Sequence, residues 1–312
     1  MQVTHGSIAP GGSRMALTIG NFDGVHLGHQ AMLERTVARA RELRVPACVL
    51  TFEPHPREFF APATAPARLT RLREKLELMA RAGVGRVHVA RFDARLAALA
   101  AERFVEQIVA QGLRAAWLLV GRDFRFGARR TGDYALLGAL AARHGFELEA
   151  MPDVALQGAR VSSSAVRAAL AAGDLRAAER LLGRPYAMSG RVAHGEKLGR
   201  ELGFPTANIV LRRRPALGGI FVVECRVEDE AAWRPGVASV GRRPTVNPTA
   251  LPLLEVHLLD FAGELYRRHL QVRFVAKLRD EEKYDDLGAL RAAIARDAAQ
   301  ARSHFAKKKT NA

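Results

Sequence analysis

"MALTIGNFDGVHLGHQ", residues 15 to 30, decides how the chain is read. Met15 to Ile19 is a short apolar run of the kind that forms a strand. Three glycines four apart follow, Gly20, Gly24 and Gly28, interleaved with His26 and His29, and an amphipathic stretch runs from Gln30 to Leu43. A glycine-bearing loop between strand and helix lets backbone N–H groups approach phosphate oxygens, while the helix N-terminus favours negative charge. The stretch contains neither GxxxxGKS/T nor GxGxxG, so it is neither a P-loop nor a standard dinucleotide fingerprint. His26 and His29 flank Gly28, so both imidazoles can meet one phosphate at the first helical turn. Two other readings stay open. The pair can bind zinc, although a third nearby ligand is missing, or the loop is structural and its histidines are incidental.

Working outward, strand patterns at 16–19, 47–52, 87–90 and 117–120 alternate with helical periodicity at 30–43, 71–82, 101–111, 135–144, 164–171 and 175–182. Strand and helix in alternation predict a Rossmann-like parallel α/β sheet with ligands at the carboxyl ends of its strands. After Gly183 the texture changes. Short strands at 187–192, 207–211, 220–227, 237–240, 253–259 and 271–276 are followed by one helix, 284–302. Phe221, Val223, Cys225 and Val227 alternate with Val222, Glu224 and Arg226, as on a half-buried antiparallel strand. This part predicts a small antiparallel β-barrel with a C-terminal helix. The boundary is expected at Arg184-Pro185, giving domains 1–184 and 185–312.

A length of 312 residues fits two domains, since single cores rarely grow past roughly 250 residues. The 48% apolar content is that of a globular protein. No apolar run approaches the ~18 to 20 residues that span a bilayer. The segment before Met15 is Gly- and Ser-rich and lacks the apolar core of a signal peptide. Cys48 and Cys225 sit in apolar runs and read as buried thiols of a reduced, cytoplasmic protein. The net charge of +16 favours polyanionic or phosphorylated partners, or else reflects arginine scattered over solvated faces.

"GRVAHGEKLGRELGFPTANI", residues 190 to 209, is the second informative string. Gly195, Gly199 and Gly203 imply a loop able to close over phosphates. Thr206 and Asn208 lie two apart on a strand, so they face the same way. Their oxygens are hard donors suited to Mg²⁺, which keeps waters and binds substrate phosphates.

HxGH in this setting resembles the nucleotidylyltransferase superfamily. "TIGNFDGVHLGHQ", "TFEPHPREFF", "VGRDFRFGARRTGD" and "RVSSSAVRAALAAGDL", in that order, resemble the adenylyltransferase half of the bacterial bifunctional riboflavin kinase/FAD synthetase family. The glycine loop, PTAN, "GVASVGRRPTV" and "LLEVHLLDF" resemble its riboflavin kinase half. The resemblance implies a nucleotidylyltransferase-like domain followed by a riboflavin kinase barrel. It implies phosphorylation of riboflavin to FMN and adenylylation of FMN to FAD, with ATP as co-substrate, Mg²⁺ as cofactor, and no nucleic-acid or membrane partner.

By the same resemblance, His26 and His29 act on the ATP phosphates, within a nucleotide loop that includes Gly20, Phe22, Asp23, Gly24 and Gly28. Asp123 belongs to the nucleotide pocket, and Arg160, Ser163 and Arg167 hold phosphates near a second helix start. Gly195, Lys197 and Gly199 belong to the kinase loop, Thr206 and Asn208 to the metal, and Glu255 is the catalytic base. Plainer roles stand beside these. Ser162 to Ser164 can simply cap a helix, Asp123 can be a turn residue, and Glu255 can be an exposed strand glutamate in a charge pair.

The chemistry suits the residue types. A phosphate oxygen of FMN is already ionised at neutral pH, so attack on the α-phosphorus of ATP needs positioning and charge neutralisation more than a base. A ribityl hydroxyl is neutral, so a carboxylate that accepts its proton assists γ-phosphoryl transfer. The sequence departs from the family at Arg267, where glycine is usual, at 218–221, where "GGIF" replaces Gly-Val-Tyr, and at Tyr284, commonly phenylalanine. Two alternatives remain: one half has lost its activity, or the chain is a basic nucleic-acid-binding protein. Against the latter, aromatics are only 6% and no helix-turn-helix, zinc-finger or RNP motif is present.

Overall fold

Strand Met15–Ile19 (β2) is buried along its whole length, as the apolar run requires of a strand covered on both faces. A computed structural model of the chain describes residues 1–6, 12–194, 199, 202–241 and 251–310. Their contacts divide them into two compact units, Met1–Pro66 with Leu72–Ser162, and Ala67–Arg71 with Ser163–Ala312.

In the first unit, β2 joins Gln2–His5 (β1), Ala47–Glu53 (β3), Arg86–Arg91 (β4), Ala115–Gly121 (β5) and Glu147–Met151 (β6). The sheet runs in the order β1-β4-β3-β2-β5-β6, and every pairing in it is parallel. Helices Leu27–Leu43 (α1), Pro56–Phe60 (α2), Leu72–Arg81 (α3), Ala94–Ala97 (α4), Ala101–Phe104 (α5) and Tyr134–His144 (α6) make the crossovers. Period-two alternation builds a core on each face of the sheet. Met15, Leu17 and Ile19 meet Leu118 and Val120 on one side. Ala16, Val49, Trp117 and Leu119 meet Leu33 and Val37 of α1 on the other. Helix α6 is closed by its sequence, with Asp133 accepting from the Leu136 N–H and Gly145 at φ 72° ending it.

Three details differ from the sequence reading. β1 forms within the segment read only as Gly- and Ser-rich, because pairing with β4 satisfies its backbone. Edge strand β6, with a polar Glu147-Leu148-Glu149 pattern, carries too little apolar signal to be read in advance. The 101–111 helix is α-helical only to Phe104 and continues as a π-helix over Val105–Gly112.

The order of the strands fixes where a ligand goes. β3 and β4 lie to one side of β2, β5 and β6 to the other, so the winding reverses between β2 and β5. A crevice opens at such a switch point, at the carboxyl ends of the strands.

The second unit holds Ala187–Arg191 (β9), Ala207–Val210 (β10), Gly219–Val227 (β11), Arg234–Gly241 (β12), Leu253–Leu258 (β13) and His269–Arg279 (β14). These pair antiparallel in the order β10-β13-β12-β11-β14-β9. One bridge, Ala193 with Asn208, nearly closes the barrel between the end strands. Phe221, Val223, Cys225 and Val227 fill its interior as the alternation predicts. Val222 on the other face is also buried, because helix Leu287–Thr310 (α9) covers it with Ala298 and Ala301. Arg279 grips buried Asp297 of α9 through two bonds of 3.0 and 2.7 Å.

Helices Ser163–Ala171 (α7) and Leu175–Leu182 (α8) pack with this unit. Val166, Leu170, Leu175, Ala178 and Leu182 share the barrel's core cluster. The change of texture falls at Arg184-Pro185, whereas packing divides the chain between Ser162 and Ser163.

Candidate active sites

The loop from β2 to α1 lies on the carboxyl edge of the first unit's sheet. Helix α1 starts at Leu27, and His26 is its N-cap: Nδ1 accepts the His29 backbone N–H at 3.3 Å. The cap fixes one imidazole and places His29 in the first turn. Their rings stack, with centroids 3.7 Å apart, and Phe22 tilts against His29 at 5.0 Å. Gly28 lets the His26 ring come close: a Cβ there would stand 3.3 Å from it, and the ring would have to give by a few tenths of an ångström. Asp23, Phe22 and His26 are buried.

The loop is strained. Phe22 and Val25 hold φ values of 49° and 42°, and Gly24 a φ of 86°. For a β-branched valine this is a costly conformation, of the kind that concentrates at functional sites. Gln30 Nε2 donates to the Val25 carbonyl at 2.9 Å and pins the strained peptide to the helix. Gly20 approaches the Phe22 ring, where a Cβ would meet it at 3.1 Å. Among the described residues no group of three or more His, Cys, Asp or Glu could hold a metal, so the zinc reading of the histidine pair finds no third ligand.

Asp123 follows β5, across the switch point from this loop. Arg160 lies on the second strand of a small hairpin, Ala155–Leu156 (β7) with Ala159–Arg160 (β8). The structure brings the two together: Arg160 Nη2 donates to Asp123 Oδ2 at 2.8 Å and also meets Asp153 at 3.0 Å. Ser163 opens α7 in the second unit. One turn on, Arg167 Nε donates to the Ala67 carbonyl at 2.7 Å.

An aromatic cluster escaped the sequence reading. Phe59 and Phe60 of α2 stand 5.6 Å from Phe92, and Phe52 stands 5.9 Å from it. Phe60 is 66% exposed, an unusual surface for so large an apolar ring, and the cluster lies at the carboxyl ends of β3 and β4. The adjacent pair Phe59-Phe60 was the available signal. His55, by contrast, caps α2 by accepting the Arg57 N–H.

In the second unit the barrel assembles an oxygen-rich face. Asn208 on β10 and Ser239 on β12 flank Glu255 on β13 in register, and directly opposed residues share a face. Asn208 Nδ2 donates to the Thr206 carbonyl at 3.4 Å, leaving its Oδ1 as the oxygen available to a cation. His257 Nδ1 bonds the Pro205 carbonyl at 2.9 Å and braces the segment that carries Thr206. Gly199 packs on that segment: a Cβ would lie 3.3 Å from Thr206 Oγ1, and its carbonyl accepts the Phe204 N–H. One cavity is lined by Thr206 and Asn208 together with Val192, Val256, Phe261, Glu264 and Tyr266. Gly195 and Lys197 lie outside the described residues.

Burial pushes the Cys48 thiol up to about 12 and raises the Cys225 thiol as well, so neither is a nucleophile. Among the described residues no helix is long and apolar enough to cross a membrane.

Known proteins fall into line with this geometry. A family model described as FAD synthetase matches residues 10–165, and one described as riboflavin kinase matches residues 182–305. The bifunctional riboflavin kinase/FMN adenylyltransferase of Pseudomonas fluorescens is 50% identical over 306 residues, covering 97% of each chain. The protein of the same description from Escherichia coli (strain K12) is 49% identical over 290 residues, 93% of this chain and 92% of that one. A crystal structure described as a macrolide-efflux protein from Streptococcus pneumoniae has a TM-score of 0.79 at 26% identity, covering 97% of this chain and 99% of that one. With both family models matched in series and half of its residues shared with such a relative over nearly the whole length, the chain belongs to the bifunctional riboflavin kinase/FMN adenylyltransferase family.

Proposed function

We infer that this chain phosphorylates riboflavin to FMN and adenylylates FMN to FAD, with ATP as co-substrate in both steps. The observation that supports the reading is that each unit assembles its own polar cluster, a histidine-bearing helix start in one and the Asn208–Glu255 register pair in the other.

In the first unit, a phosphate oxygen of FMN attacks the α-phosphorus of ATP, and the bond to pyrophosphate breaks. His26, His29 and the start of α1 neutralise charge on the phosphate oxygens. Asp123, beside the switch point, reads the nucleotide. Arg160, held in place by Asp123 and Asp153, adds positive charge. The exposed rings of Phe59 and Phe60, beside half-buried Phe92, suit the flat isoalloxazine of FMN, which stacks on aromatic faces.

In the second unit, Glu255 accepts the proton of the ribityl hydroxyl as its oxygen takes the γ-phosphoryl group, and ADP departs. The donor set of Thr206 Oγ1 and Asn208 Oδ1 fits Mg²⁺, with substrate phosphates and water supplying the other ligands. When bound there, Mg²⁺ withdraws charge from the transferring phosphoryl group. Gly195, Lys197 and Gly199 are assigned to closing over the phosphates. The Phe261 and Tyr266 rings, which line the same cavity, suit an aromatic base or ring.

We place adenylyl transfer in residues 1–184 and the kinase in 185–312, and the protein in the cytoplasm, where buried free thiols such as Cys48 and Cys225 stay reduced. Its positive charge serves phosphorylated small molecules and solvated arginine faces, with no nucleic-acid or membrane partner. Incubation with riboflavin, ATP and Mg²⁺, with FMN and FAD resolved by chromatography, tests the whole reading. Absence of either flavin nucleotide removes the corresponding half.

A further inference from the structure

Lys75 is a buried cation for which the chemistry above has no use. It lies on α3, 1% exposed, among the largest fully buried side chains of the chain. Lysine is almost never sealed from water without a compensating reason, because the ammonium loses its hydration. Its Nζ stands 3.5 Å from Thr51 Oγ1 on β3. The same hydroxyl donates to the Asn21 carbonyl at 3.3 Å, and Thr51 is itself fully buried.

Asn21 belongs to the strained loop, between Gly20 and Phe22, whose left-handed backbone at Phe22 and Val25 persists only if its surroundings impose it. Gln30 holds the far end of that loop, at Val25. The chain Lys75–Thr51–Asn21 reaches the near end. A hydroxyl that gives its proton to a carbonyl keeps its lone pairs for an ammonium, so the donor order along this chain is consistent.

We propose that Lys75 is a positioning residue for adenylyl transfer: acting through Thr51, it holds the loop of Asn21, Asp23 and His26 in its working shape. The proposal rests on the reading of that loop as the adenylyl-transfer site. It makes the loop's geometry depend on a side chain of α3, outside the loop itself. Methionine has nearly the length and volume of lysine, so the exchange keeps the packing of α3 while removing the ammonium. A lysine retained for packing therefore predicts normal catalysis after that exchange, and a positioning lysine predicts a folded but slow enzyme.

The test uses full-length Lys75→Met, Thr51→Val and the double variant, with FMN and ATP supplied and thermal unfolding followed in parallel. The expected kcat for FAD formation falls roughly ten- to a hundredfold in Lys75→Met, because small misplacements of reacting groups cost that much. KM for FMN stays within about threefold, since ground-state binding is left in place. The double variant is no slower than Lys75→Met, because both substitutions cut the same link. A folded Lys75→Met with kcat within about twofold of the parent, or a rise in KM with kcat preserved, overturns the proposal. If Lys75→Met does not fold, Thr51→Val decides: a loss of kcat supports the link and normal turnover overturns it. His29→Ala, run alongside, separates the two ideas. If it is inactive while Lys75→Met is normal, only the role of Lys75 falls; if it too is normal, the site reading itself falls.

Discussion

The His26 and His29 rings lie face to face, their planes 19° from parallel, because the side chain that caps α1 and the side chain of its first turn are drawn together by the cap itself. A group that meets one imidazole is within reach of the other. Replacing His29 by alanine leaves the His26 cap in place, since the cap uses the backbone N–H of residue 29. The variant is expected to fold and to convert riboflavin to FMN, which accumulates. FAD formation falls about a hundred- to a thousandfold, as when one preorganised charge-stabilising group is lost. The reverse reaction, from FAD and pyrophosphate, loses the same factor. Near-normal FAD synthesis would remove the histidines from the mechanism.

Glu255→Gln keeps the size of the side chain and removes the proton acceptor. FMN formation is expected to fall by roughly two to four orders of magnitude, while FAD formation from supplied FMN persists. Unchanged kinase turnover in this variant would rule out Glu255 as the base.

The packing of α7 and α8 into the barrel's core predicts how the second half behaves alone. A fragment beginning at Ser163 keeps Val166, Leu170, Leu175, Ala178 and Leu182 in that core, and one beginning at Arg184 loses all of them. The longer fragment should therefore unfold at the higher temperature and hold more kinase activity on warming. Equal melting temperatures would show that the two helices contribute nothing to the barrel.

Arg267 adopts φ 64°, the left-handed conformation that glycine takes freely, at the position where the family usually has glycine. Its N–H donates to the Val192 carbonyl at 2.9 Å, so the turn is held. Arg267→Gly is expected to match or exceed the parent in stability by up to about 1 kcal/mol, and Arg267→Val to lose about 1 to 2 kcal/mol. Denaturant midpoints measure both. A glycine variant less stable than the valine one would contradict the backbone argument.

Arg35 clasps Glu149 through two bonds of 2.8 and 2.7 Å, tying α1 to β6. These bonds hold the Glu149 carboxyl below its ordinary value of 4.5. A carboxyl depressed in the folded state contributes stability that is fully present above its unfolded value and is lost as pH falls through the folded one. Both side chains are about a third exposed, 38% and 34%, so solvent screens the pair. Glu149→Gln should cost only about 0.5 to 1 kcal/mol at neutral pH. The gap should close on acidification below the ordinary carboxyl range, as thermal melts across that interval will show. A gap that widens toward acid would reverse the sign of the argument.

Legibility followed burial and period. The strands at 16–19, 47–52, 87–90 and 117–120 were readable because each is mostly apolar, as strands covered on both faces tend to be. β6 was not, because its edge position lets Glu147 and Glu149 face α1 as ion-pair partners of Arg39 and Arg35. The individual site residues were visible as motifs, but their pairings were not. Nothing in spacing says that Arg160 turns toward Asp123, which depends on where the β7–β8 hairpin packs, or that Ser239 stands beside Glu255, which depends on a strand register set by the whole sheet. Lys75 was unreadable for a different reason: on an amphipathic helix a lysine signals the solvated face, and here it is the buried one.

The barrel is not a closed hoop but a belt with a buckle. Five of its junctions are full ladders, and among the described residues the sixth is the Ala193–Asn208 bridge, whose N–H···O contact measures 2.8 Å. Asn208 thus has its backbone in the buckle and its side chain beside Glu255. Local openings start where the fewest cooperative bonds must break, so this bridge is the seam at which the barrel is expected to open first. On the proposed reading of Asn208 as a cation ligand, a group held there would fasten the belt at its buckle.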